Sequence, residues 1–127
     1  MSRIIGCWKV FDGTEDVGST NAVIKGLSTL AMIPIMAGHT FSLFADASST
    51  GTIALKVECF THFSDTIASA VEPEGMADIL TIADGSLHHD SFNPPVTQWM
   101  AIKVTGTGAN DAATRVVIHL LIQESVG

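Results

Sequence analysis

The sequence has no tyrosine, only two tryptophans, and charge on just 15% of its 127 residues. About a quarter is usual for soluble domains, and a small domain exposes much of its surface. A chain this poor in charge is therefore expected to have part of its surface covered by another chain. Six lysines and arginines stand against thirteen aspartates and glutamates, a formal charge of −7. Arg3, Lys9, Lys25, Lys56, Lys103 and Arg115 are scattered singly, so no basic patch forms along the chain. An acidic chain without such a patch repels phosphate, which excludes nucleic acid as the expected partner and disfavours anionic membranes. No apolar run approaches the ~20 residues that a membrane-spanning helix needs. Residues 1–13 lack the apolar core and small-residue cleavage site of a secretory signal. Synthesis in the cytoplasm is expected, with retention there or release inside an assembled particle. Cys7 and Cys59 are the only cysteines, and in that compartment they are expected as free thiols.

Apolar residues make up 46% of the chain, which excludes a disordered solvating tail. The length fits one domain over residues 1–127, with no repeat or linker. The dominant hydrophobic period is two. Over residues 52–63, Ile53, Leu55, Val57, Cys59 and Phe63 share one face, while Lys56, Glu58, Phe60 and His62 share the other. Phe41, Leu43 and Ala45 alternate with Thr40, Ser42, Phe44 and Asp46; Met100, Ile102 and Val104 alternate with Trp99, Ala101 and Lys103. Val116, Ile118, Leu120 and Ile122 alternate with Arg115, Val117, His119, Leu121 and Gln123. Further strands are expected over residues 4–11, 21–27, 30–36 and 79–83. Turn residues separate them at Asp12-Gly13, Ala37-Gly38, Ser49-Thr50-Gly51, Asp84-Gly85 and Gly106-Thr107-Gly108. Residues 64–71 offer at most one helical turn, and residues 64–75 and 85–95 read as the longest loops. About eight short strands predict an all-β fold, a two-sheet antiparallel sandwich of the jelly-roll kind.

The inner faces of these strands are cleanly apolar, but the outer faces are not. Phe44, Phe60, Trp99, Val117 and Leu121 fall opposite the expected core. Single apolar residues on a surface are ordinary. Five of them on four strands, three aromatic, make a candidate subunit or partner interface.

Catalytic and metal-binding patterns fare worse. His88-His89-Asp90 is the only local histidine cluster. Adjacent residues on an extended strand point to opposite faces, and the His-x-His, Glu and later His of a cupin metal site are missing. Asp12, Glu15 and Asp16 lack the spacing of a calcium loop. No Gly-x-Ser-x-Gly elbow is present. Cys59 shares a face with Leu55 and Val57, where a thiol packs as a small hydrophobe. The residues predict no catalytic, metal or cofactor site, and a structural or binding role instead of an enzymatic one.

From His39 onward the chain resembles the small jelly-roll proteins of tailed-phage virions. The carrying residues are 39–46 (HTFSLFAD), 90–95 (DSFNPP), 99–108 (WMAIKVTGTG) and the closing strand 116–124. The resemblance implies a capsid decoration protein that self-associates, with a trimer favoured over a dimer. It also implies a virion location, with the major capsid protein or another virion protein as partner. The alternative is a carbohydrate- or receptor-binding module of a tail or fibre, in which Trp8 and Trp99 would stack on sugar rings.

Overall fold

The computed structural model describes residues 2–17, 22–28, 31–35, 39–48, 54–82, 87–94, 98–107 and 114–125. The strands are β1 (Ser2–Val17), β2 (Val23–Lys25), β3 (Ile33–Pro34), β4 (His39–Ser48), β5 (Ala54–His62), β6 (Leu80–Ile82), β7 (Leu87–Phe92), β8 (Trp99–Thr107) and β9 (Thr114–Ser125). Among the described residues the only helix is a 3-10 turn over Ile67–Ser69, within the stretch where one helical turn was expected.

The strand pairing has a simple logic. β1 pairs with β9, β2 with β8, β4 with β7 and β5 with β6, all antiparallel, so the chain is one long hairpin with two antiparallel arms. Two more antiparallel ladders, β4 with β9 and β5 with β8, roll that hairpin up. The first sheet is ordered β1-β9-β4-β7 and the second β2-β8-β5-β6, with β3 added against β8. This is an all-β jelly-roll sandwich.

Period two places the core between the sheets. Phe41, Leu43, Ile118 and Leu120 face inward from the first sheet, and Leu55, Val57, Met100 and Ile102 from the second; all are buried. β4, β5, β8 and β9 each thereby remove a row of apolar side chains from water, which is the main driving force for closing the two layers.

The structure departs from the expected strands and turns in four places. Phe63 is not on the core face of β5. That strand ends at His62, whose Nδ1 accepts a 3.0 Å bond from the Ser64 amide and turns the chain, leaving Phe63 77% exposed. Residues 87–92 are a strand and not a loop. β7 lies at the sheet edge against β4, and most of its side chains are exposed, so it carries no apolar alternation. Asp12-Gly13 is not a turn between strands but a bulge inside β1, where the register against β9 slips between Asp12 and Asp16. Gly13 takes a left-handed φ of 85° there, and a Cβ would sit 3.1 Å from Val117 Cγ2. Gly106-Thr107 likewise belongs to β8. The expected turns at Ala37-Gly38, Ser49-Thr50-Gly51 and Asp84-Gly85, together with Ile53 and Gly108, lie outside the described residues.

One strained residue sets the start of β8. Gln98 adopts φ 83°, uncommon for a residue with a Cβ, and its carbonyl accepts a 2.7 Å bond from the Ile35 amide. That bond ties the end of β3 to the entrance of β8 and fixes the pairing of Pro34 with Trp99.

Candidate functional site

The five residues singled out on the outer faces occupy two separate surfaces. Phe44, Val117 and Leu121 lie on the outer face of the first sheet, in its two central strands. Phe60 and Trp99 lie on the outer face of the second, also in its central strands. All five are half-buried. The core separates the two groups, so they make no single patch.

On the first sheet the ladders set outer side chains in rows across the strands, three of them central, with Arg115 one step beyond the third. One row holds Cys7, Leu121, Ser42 and Ser91; the next holds Lys9, His119, Phe44 and His89; the third holds Asp12, Val117, Asp46 and Leu87. Phe44 stacks on His89 with centroids 4.2 Å apart and planes inclined by 18°. Ser42 and Ser91 share a 2.9 Å hydroxyl bond. Asp12 accepts bonds from the Thr14 hydroxyl and, at 3.1 Å, the Thr14 amide, and these hold its carboxyl below the usual range. Leu87 ends the third row with 63% of its surface exposed. A concavity of about 350 Å³ opens beside this row, lined by Asp12, Gly13, Asp46, Arg115 and Val117.

The second sheet's outer face is partly occupied by its own chain. Lys103 Nζ sits 4.7 Å from the Phe60 ring centroid, a cation–π contact that covers one face of the ring. Ala101, directly opposite Phe60, is fully buried, and Glu58 is buried as well. The segment between β5 and β6 is tied to β5 by a mutual backbone pair of Thr61 with Val71 and by the Ile79 amide bonding the Val57 carbonyl.

Glu58, Glu72 and Asp78 bring carboxylate oxygens within 4.8 Å of one another at this seam. Lys56 Nζ lies 3.5 Å from Glu58. The hydrogen bond with Glu58, followed by loss of water and the charges of Glu58 and Asp78, raises the Glu72 carboxyl. Among the described residues this grouping is the one sequence spacing missed, because its members come from residues 58, 72 and 78 and meet only through the fold. Its local traces in the sequence are Glu58 on the polar face of β5 and the carboxylate pair Glu72 and Glu74 in a turn-like segment.

Beside that seam, Thr61, His62, Phe63, Ser69 and Val71 line a cup of about 380 Å³. Phe63 stacks on His62 at 4.4 Å, and Val71 is 62% exposed. His88 and His89, expected in a loop, stand on β7 and point to opposite faces. Cys7 is exposed on the first sheet's outer face, whereas Cys59 is buried on the second sheet's inner face. Burial, with the Glu72 charge nearby, pushes the Cys59 thiol up to about 12. The side chains of Glu15 and Asp16 lie outside the described set.

No family model matches the chain, and no curated protein matches it at a significant level. Among solved structures, a protein of Bacillus endospore appendages, from a novel family of disulfide-linked pili, superposes with a TM-score of 0.43 at 11% identity, covering 100% of this chain and 88% of that one. The N-terminal CBM22-1–GH10 modules of Clostridium thermocellum xylanase 10B, complexed with xylohexaose, give a TM-score of 0.44 at 13% identity, over 94% of this chain and 29% of that one. Both superpositions are loose, and the function of neither protein passes to this chain.

Proposed function

We propose that this chain is a structural component of an assembled particle, a virion protein of the capsid-decoration kind, that links neighbouring subunits without covalent chemistry. The observation that carries this reading is the division of outward apolar residues between two opposite surfaces: Phe44, Val117 and Leu121 on one, Phe60 and Trp99 on the other. A module with one such surface binds a single neighbour; with two it bridges. The low charge content favours the same reading. Each contact buries apolar and aromatic surface, and repetition over a lattice multiplies modest contacts into avidity. The major capsid protein is the proposed partner of one surface, and a further copy of this chain that of the other. Particles purified from the source on a density gradient test this. The chain is expected to sediment with them and to be released when Phe44→Glu and Phe60→Glu are combined. A chain that stays at the top of the gradient, away from every particle, overturns the reading.

A second reading rests on the cup at Phe63. An exposed aromatic ring beside the Ser69 hydroxyl and the His62 ring is the arrangement that holds one sugar unit, by stacking and hydrogen bonds. Trp8 and Trp99, expected from sequence to serve that purpose, do not line it. Titration with soluble oligosaccharides, comparing wild type with Phe63→Ala, decides between the two.

A further inference from the structure

Resting on the self-association just proposed, we infer that the occupant of the first sheet's outer face is a second copy of this chain, joined face to face about a two-fold axis running across the strands.

The choice of sheet follows from what each face already carries. On the second sheet Lys103 covers Phe60, and the segment between β5 and β6 is tied along β5. On the first sheet, Leu121, Phe44, Val117 and Leu87 follow one another over three adjoining rows. Four strands about 4.8 Å apart and roughly ten residues long, at about 3.4 Å each, give a flat footprint of roughly 600 Å². With side-chain relief this approaches the ~800 Å² per partner of a stable interface.

Charge selects the symmetry. The middle row carries Lys9 with His119 and His89, and the neighbouring row, about 7 Å away along the strands, carries Asp12 and Asp46. A two-fold axis along the strands lays Lys9 of one copy on the partner's His89, bringing two basic groups together. An axis across the strands, set between the two rows, lays Lys9 on the partner's Asp12 twice over. It also places His89 beside the partner's Leu87 and Phe44 over the partner's Asp46, and sets both histidines within a strand's width of that carboxylate. The same axis keeps the strands of the two copies aligned, as packed sheets prefer. A self-complementary face of this kind closes at two copies.

Paired charge reversals test the arrangement. Lys9→Glu sets two acidic groups against each other across the axis, and Asp12→Lys sets two basic ones; each variant alone should dissociate at least tenfold more readily than wild type. Mixed in equal amounts they should form a heterodimer of near wild-type affinity, because both contacts become Glu–Lys and Lys–Asp pairs. Circular dichroism of each variant verifies the β signal, and the mixing arm is itself proof that both remain folded. Phe44→Glu should abolish the dimer, while Phe60→Glu leaves it intact. A wild-type mass of one chain at every concentration overturns the self-association on which this rests. A dimer indifferent to Lys9, Asp12 and Phe44 but lost with Phe60→Glu, or a trimer, overturns the two-fold face and leaves self-association standing.

Discussion

Cys59 packs beside Leu55 and Val57 with 2% of its surface exposed, whereas Cys7 stands in water on the far side of the sandwich. The thiolate is the reactive form, and burial raises the Cys59 thiol to about 12, beyond the reach of a neutral buffer. At pH 8 a chromogenic disulfide reagent should therefore titrate one thiol in the folded protein, and two once the unreduced chain is unfolded; an unfolded chain that yields none is disulfide-bonded. Glu72 offers a second test. Its carboxyl is raised above its ordinary 4.5, first by the hydrogen bond with Glu58. Between 4.5 and that raised value the folded state holds a proton that the unfolded chain has released, so stability falls as pH rises through this window, and above it the group adds no further pH dependence. Glu72→Gln should raise the melting temperature at pH 7 and flatten its change as pH falls from 7 towards 4.5. An unchanged pH profile in the variant would show that the carboxyl contact with Glu58 is not made in solution.

At the scale of a strand, β4 gives the sharpest contrast. Phe41 is fully buried and stacks on Phe92 at 5.7 Å, while Phe44, three residues on, faces outward. Phe41→Ala should cost about 3–5 kcal/mol in denaturant titration, whereas Phe44→Glu should leave the β signal of circular dichroism unchanged. Equal losses from both would place Phe44 in the core. The strands that carry this contrast could be read in advance because period two is strong in them: the inward sets of β4, β8 and β9 are those that alternation picks out. β7 escaped because an edge strand covered on so little of its surface has no reason to alternate, and LHHDSF reads as polar loop. The bulge at Gly13 escaped because Asp-Gly is also the commonest wording of a turn; only the partner strand distinguishes the two. Phe63 was misplaced by extending a period one residue past the strand's end, where the His62–Ser64 bonds reverse the chain.

Across the whole molecule, the jelly-roll order has no local signature. β1 and β9 are joined through Ser2 and Ser125 at opposite ends of the chain, and nothing near either residue names the other. Sequence supplied the number and character of the faces; the rolled hairpin decided that Phe44, Val117 and Leu121 share one surface and that Phe60 and Trp99 share its opposite. A bridging role depends on that opposition. An image of the native assembly at low resolution, fitted with this sandwich, tests it most directly. The account predicts sandwiches at repeated, symmetry-related positions on a particle, with both outer sheet faces covered by neighbours. Isolated chains of 13.3 kDa with both faces in solvent, on no particle at all, would contradict it.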